Sequence, residues 1–383
     1  MRWTLSPLRP SPSPETGLTQ PCRVSIPETG EGESSRRFAG VVAGLLLIAL
    51  VLSSCATPRA ENLWHQELLT ADRDFDHQRY AEAKARYLTL KPSPEAELDL
   101  YIDLQLARIR VAEGDLAGGL ETLKAIEDAA SETEEWASQA RSLRAELAEL
   151  DGELNAAMQL YDTLIVDYPS SATAQRAFDR VLRSFDEVDS PALGVQWLAE
   201  LHQRLEMNGG EATLADNVLY EMAKLFHDKL GDDESAIKAL ETLLETAPMS
   251  PLQDDATFLL AQIARTQGRA QEALALFERI AREHDASWAM GEYDSALRDD
   301  AMLARVEIFL SLGEGQAAVD EYQRILDAFP GYLGRARIAF ERATLLREAL
   351  GDEAAYRAAL EELVADYPES VYAEKAAAIL TQP

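Results

Sequence analysis

Apolar side chains recur at intervals of three and four through most of the chain, as at Leu104, Ala107, Ile109 and Val111 and again at Phe258, Leu259, Ala261 and Ile263. That period puts them on one face of a helix. Good helix formers (Ala, Leu, Glu, Gln, Arg) dominate the intervening positions. Alternating runs of Val, Ile and Thr, the mark of strands, are missing from Ala60 onward. The pattern predicts an all-α protein.

A fixed spacing organises these helices. Five, nine and seventeen residues beyond Gly152 stand Ala157, Tyr161 and Pro169; Gly231 is followed in the same way by Ala236, Leu240 and Pro248, Gly313 by Ala318, Tyr322 and Pro330, and Gly351 by Tyr356, Leu360 and Pro368. Gly268 and Gly114 head two copies that lack the proline, and two degenerate copies turn at Gln78 and Asp189. Each mark has a physical task. A glycine tolerates the left-handed conformation that ends a helix. The Asp that follows in Gly114-Asp115, Gly231-Asp232 and Gly351-Asp352 caps the next helix. The small residue lets paired helices approach closely, and the aromatic or leucine one turn later fills the space between hairpins. A proline stops the second helix, because the residue before it avoids helical geometry.

This pattern resembles the tetratricopeptide repeat, a helix–turn–helix unit of about 34 residues. The expected fold is an α-solenoid of about eight such hairpins over residues 55–383, each burying the face of its neighbour around one continuous core and leaving a concave groove lined by first helices. Turns fall near 78, 114, 152, 189, 231, 268, 313 and 351, at intervals of 36, 38, 37, 42, 37, 45 and 38 residues. The longest interval contains His284 to Asp300, the expected inserted loop. Ala107, Ala145 and Ala261 stand seven residues before their glycines; Ala223 and Ala343 stand eight before theirs, a departure in the fifth and eighth copies.

The N-terminus follows another logic. Phe38 to Leu52 is fifteen residues without a charge, preceded by Arg36 and Arg37. It is short for a membrane span, which needs about 20 residues, and fits the core of a signal peptide. The order Leu52-Ser53-Ser54-Cys55 resembles the lipobox of bacterial lipoproteins. The resemblance implies cleavage between Ser54 and Cys55 and acylation of the Cys55 thiol, palmitate included, so that residues 1–54 are a leader and signal peptide. Residues 1–35, rich in Pro, Ser and Glu, read as a misassigned start or a disordered extension. Two or more acyl chains would anchor the chain stably without spanning the bilayer.

Charge and chemistry narrow the function. Thirty-six Lys and Arg against 67 Asp and Glu give a net charge of −31, which argues against nucleic acid. With two cysteines, Cys22 and Cys55, a disulfide framework is excluded. The five histidines share no helical face at metal-binding spacing; no phosphate loop or nucleophile elbow appears. The pairs Asp232-Asp233, Asp254-Asp255 and Asp299-Asp300 are placed at helix starts. The reading is therefore no catalysis, no metal and no cofactor. Tyr87, Tyr161, Phe277 and Tyr322 belong to the core. Trp288, in the inserted loop, and Arg335, Arg337, Arg342 and Arg347, a basic stripe in an acidic chain, are the candidate contacts for a partner, with pairing to Glu341 and Glu348 as the alternative for the arginines.

The endings Asp167-Tyr168-Pro169-Ser170 and Asp366-Tyr367-Pro368-Glu369-Ser370 are similar to those of BamD-type outer-membrane assembly lipoproteins and of the Tol–Pal periplasmic coordinator. The resemblance implies a non-catalytic scaffold, anchored by lipid to the outer membrane, facing the periplasm and binding envelope proteins. This chain carries more repeats than the first and lacks the coiled coil of the second. A peptidoglycan-associated module, or an activator of a cell-wall enzyme, is the alternative.

Overall fold

The computed structural model describes residues 57–93, 95–130, 134–207, 214–282, 284–287, 291–294 and 296–381. Cys55, the Ser54–Cys55 bond and Trp288 lie outside them. Helices alternate with tight turns to make eight hairpins: α1 (Thr57–Asp76) with α2 (Tyr80–Thr89), α3 (Ala96–Ala112) with α4 (Leu116–Ala129), α5 (Glu134–Leu150) with α6 (Leu154–Asp167), α7 (Ala172–Glu187) with α8 (Pro191–Met207), α9 (Ala215–Lys224) with α10 (Asp233–Thr246), α11 (Gln253–Thr266) with α12 (Ala270–Arg282), α13 (Arg298–Ser311) with α14 (Gly315–Ala328), and α15 (Arg335–Glu348) with α16 (Glu353–Asp366). A last helix, α17 (Val371–Leu380), packs on α16 and α15.

The turns follow the marks in the sequence. Among the described residues, positive φ occurs at Gln78, Gly114, Gly152, Asp189, Gly231, Gly268, Gly313 and Gly351, from 48° at Asp189 to 91° at Gly114. In the regular turns the next N–H reaches back five residues, as from Asp115 to the Arg110 carbonyl (2.8 Å) and from Arg269 to that of Ala264 (2.9 Å). This satisfies a helix-end carbonyl. In the fifth and eighth hairpins it reaches back six, from Asp232 to Phe226 and from Asp352 to Leu346, both at 2.9 Å. These are the two copies with one extra residue. In the fifth it is taken up by a π-helical turn, Leu225–Leu230.

Capping and stopping are equally local. The carboxylates of Asp115, Asp232 and Asp352 accept the backbone N–H of Gly118 (3.0 Å), Ser235 (3.1 Å) and Ala355 (2.9 Å). The four helices before Pro169, Pro248, Pro330 and Pro368 end at Asp167, Thr246, Ala328 and Asp366, two residues short of the proline.

The contacts group into two compact units that divide after Leu164, within α6. In residues 57–164 the core joins Leu68, Ala83, Tyr87, Ile102 and Ile109, with a second cluster around Leu104, Leu123 and Leu147. Gly119 lies under Val111 so closely that a Cβ there would stand 2.6 Å from its Cγ2. In residues 165–383 the clusters centre on Leu240 and Leu243, on Phe277 and Ile280, and on Tyr322, Ile338, Tyr356 and Leu360. The side chains nine residues beyond each turn are buried in every hairpin: Tyr87, Leu123, Tyr161, Leu198, Leu240, Phe277, Tyr322 and Leu360.

The 45-residue interval corrects the expectation of a loop through Asp300 in a chain without strands. His284–Ser287 (β1) and Gly291–Asp294 (β2) pair antiparallel, His284 opposite Asp294 and Ser287 opposite Gly291, and α13 has begun by Arg298. Composition gave no warning, since neither strand holds a Val or Ile. No described helix is long and apolar enough to cross a membrane.

Candidate protein-docking surfaces

In residues 165–383 the last two hairpins and α17 border an open cleft of about 360 Å³ lined by Tyr322, Phe340, Glu341, Thr344, Leu345 and Tyr372. Helix α15 supplies four of these residues at positions 340, 341, 344 and 345, the spacing of one helical face. The Phe340 and Tyr372 rings stand 5.8 Å apart, tilted by 47°, and the Lys375 ammonium lies 4.9 Å from the centroid of the Tyr372 ring. Beneath them the Tyr322 hydroxyl donates to Glu341 Oε2 at 2.9 Å, and Arg337 reaches Oε1 of the same carboxylate at 3.4 Å. Burial, and then the hydrogen bond to Glu341 and its charge, push the Tyr322 phenol well above its usual range, so it stays a donor at any physiological pH. The cleft is apolar with one fixed carboxylate and flanking cations, the composition of a side-chain pocket.

The four arginines of α15 do not form a free stripe. Arg335 is consumed by the fold: its Nη1 donates to the carbonyls of Leu326 and Phe329, and its Nε to the Tyr367 hydroxyl at 2.9 Å. Arg337 pairs with Glu341, and Arg347 lies 4.3 Å from the centre of the Tyr356 ring and 3.7 Å from Glu348. The Nε of Arg342 is buried without a hydrogen-bond partner. The pairing with Glu341 and Glu348 is thus present, and the cleft beside the stripe is what sequence reasoning missed; the aromatics Phe340 and Tyr372 were its available signal.

A buried ionic cluster ties hairpins six and seven. Arg305 Nε meets Glu321 Oε1 at 3.0 Å, Arg305 Nη1 meets Glu278 Oε2 at 2.8 Å and the Leu274 carbonyl at 3.0 Å, and Arg324 bridges Glu278 (3.1 Å) and Glu321 (2.8 Å). Burial alone would raise the Glu278 pKa; hydrogen bonds and charge from Arg324, with Arg305 and Arg282, outweigh it and hold the carboxyl below its ordinary value. On the π turn of hairpin five, His227 Nδ1 lies 2.7 Å from Asp233 Oδ1, whose other oxygen accepts from Gln267 at 2.9 Å.

In residues 57–164 the first helices carry a second polar surface. Asp72 Oδ1 accepts both the Tyr87 hydroxyl (2.7 Å) and the Tyr101 hydroxyl (2.8 Å). The Tyr101 ring meets the edge of Trp136 with centroids 5.6 Å apart. Next to it Asp74 takes Arg79 and Arg86, which hold its carboxyl below the usual range, Arg79 most strongly. No group of three or more metal-ligating side chains occurs among the described residues. The aspartate pairs sit at helix starts: Asp232 caps α10, Asp233 is in its first turn, Asp254 and Asp255 are in the first turn of α11, and Asp299 and Asp300 in that of α13.

The tetratricopeptide-repeat family matches residues 227–288 and again residues 339–370. No curated protein matches the chain. Among solved structures, Naa15/Naa10 bound to HypK-THB is similar at 18% identity and a TM-score of 0.41, over 84% of this chain and 44% of that one, so the chain spans less than half of it. The apo quorum sensor NprR from B. thuringiensis is similar at 16% identity, TM-score 0.37, over 84% and 90%. The C-terminal part of a repeat-containing protein from Cytophaga hutchinsonii is similar at 15%, TM-score 0.32, over 81% and 98%.

Proposed function

We propose that this chain of tetratricopeptide-like hairpins is a non-catalytic scaffold that binds polypeptide partners on the faces of its first helices, tethered by lipid at Cys55 to the outer membrane and working in the periplasm on envelope or outer-membrane protein assembly. The observation that carries the binding half is the cleft of Phe340, Glu341, Thr344, Leu345 and Tyr372 over Tyr322. Its walls are apolar and aromatic, the chemistry enriched at interface hot spots. Its one internal carboxylate is already held by Tyr322 and Arg337, so the cleft offers shape rather than a reactive group. The location half rests on the sequence Leu52-Ser53-Ser54-Cys55 behind an uncharged run.

Two measurements test it. Metabolic labelling with palmitate should mark the wild type and leave Cys55→Ser unlabelled, with the variant released from the membrane fraction; label retained in Cys55→Ser contradicts the anchor. Affinity capture from solubilised envelopes should yield envelope proteins that drop about tenfold with Leu345→Glu, a half-buried cleft residue. Capture unchanged by a charge in the cleft contradicts the docking surface.

A further inference from the structure

The cleft over Tyr322 is open, and the side chains that wall it keep part of their surface free: Phe340, Leu345 and Tyr372 are each only partly buried. Two of these three are rings. Phe340 and Tyr372 stand 5.8 Å apart at 47°, within the range of about 4.5–7 Å at which aromatic rings attract one another. Helix α17 holds Tyr372 there by packing on α16 and α15.

The charges around the cleft are unequally spent. Glu341, inside it, is taken by the Tyr322 hydroxyl and by Arg337. Glu307, whose charge also reaches Tyr322, is paired with Arg265, and Glu348 lies 3.7 Å from Arg347. Lys375 differs. Its ammonium lies 4.9 Å from the centre of the Tyr372 ring, it is exposed, and among the described residues it makes no ion pair. Glu374, its neighbour in sequence, leaves α17 on a different face, since adjacent helix positions do not face each other. The border of the cleft is thus an aromatic wall with one unspent cation.

We propose that this cleft is a receptor for an aromatic side chain of a polypeptide partner, phenylalanine or tyrosine, with a carboxylate two residues away that pairs with Lys375. The proposal rests on the scaffold reading above and names the residue class that the docking surface selects. A third ring packs edge-on or offset against the pair, an attraction that an aliphatic side chain lacks. In an extended segment, residues two apart project from the same side, about 7 Å from each other. That spacing puts a carboxylate within reach of the ammonium beside Tyr372. The net charge of −31 opposes an acidic segment at long range. At physiological salt, exposed charges beyond about 8 Å are largely screened, so the nearest cation decides.

The test uses the full chain and fluorescein-labelled, blocked pentapeptides at physiological salt. In fluorescence polarisation, Glu-Ala-Phe-Ala-Glu, which offers a carboxylate on either side of the ring, should bind at least tenfold tighter than Glu-Ala-Ala-Ala-Glu. It should bind severalfold tighter than both Glu-Ala-Leu-Ala-Glu and Lys-Ala-Phe-Ala-Lys. Tyr372→Leu, which keeps apolar bulk and removes a ring, should erase the preference for Phe over Leu. Lys375→Glu, an exposed change that serves if Tyr372→Leu fails to fold, should reverse the preference between the acidic and basic peptides. Equal binding of the Phe and Leu peptides by the wild type overturns the proposal, as does a basic peptide bound as tightly as the acidic one. Preferences that persist in both variants also overturn it, by placing the binding elsewhere on the chain. Envelope proteins captured in a Leu345-dependent way, but equally by wild type and Lys375→Glu, would leave the docking surface standing and remove this motif alone.

Discussion

Arg305 and Glu321 face each other at 3.0 Å inside the hairpin of α13 and α14, both less than a tenth exposed, with Glu278 reaching in from α12. Ions so placed have lost most of their water, and each depends on its partner. Removing one partner leaves an uncompensated buried charge, which costs on the order of 3–5 kcal/mol. Arg305→Met should therefore destabilise residues 165–383 by about that amount in urea titration. The double variant Arg305→Met/Glu321→Met should recover part of the loss.

Glu278 makes the same cluster sensitive to acid. Its folded pKa is depressed, so its contribution is complete above the ordinary glutamate value of about 4.3. It is lost as pH falls below that value through the lower folded one. Glu278→Gln should lower stability at pH 7 and make little difference below about pH 3, measured by denaturation at each pH. A penalty independent of pH would contradict the assignment.

Asp72 has the opposite sign. Burial raises its folded pKa, so the folded chain holds the proton more tightly than the unfolded one. The ionised carboxylate then disfavours folding above the folded pKa, and that penalty is relieved as pH drops through it. Asp72→Asn should equal or exceed the wild type in melting temperature at pH 7, the gap closing toward pH 4.

Gln78 and Asp189 adopt at φ 59° and 48° the conformation that glycine fills at the other six turns. For side chains with a Cβ this costs roughly 1–2 kcal/mol, less for Asp, whose short side chain tolerates it. Gln78→Gly should stabilise residues 57–164 by about 1 kcal/mol in chemical denaturation, and Asp189→Gly should gain less in residues 165–383. The reverse change in packing is Gly119→Ala, whose Cβ meets Val111 Cγ2 at 2.6 Å and the Ala107 carbonyl at 3.3 Å. It should cost about 1–3 kcal/mol.

The fold was legible because its punctuation is local. A glycine that must turn left, an aspartate that caps three residues ahead and a proline that stops a helix each act within one turn of chain. Even the eight-residue spacing at Ala223 and Ala343 corresponds to a physical object, the six-back bonds at Asp232 and Asp352. The β-ribbon from His284 to Asp294 was not legible, because neither HDAS nor GEYD carries the Val, Ile or Thr that mark a strand. Nor was the fate of the arginines. Arg335 is spent on carbonyls at the end of α14 and Arg347 on the Tyr356 ring, partners brought in by folding. The cleft beside them needs α17 to place Tyr372 against Phe340, a contact between residues 32 apart in sequence.

In the proposed scaffold role, the chain holds polypeptide on the face presented by α15 and α17. A photoreactive amino acid at Thr344, in the cleft, and another at Glu361, exposed on α16, test it within intact cells. Ultraviolet light should join the Thr344 variant to a discrete envelope protein while the Glu361 variant stays uncoupled. Equal coupling from both positions, or none from Thr344, would contradict it.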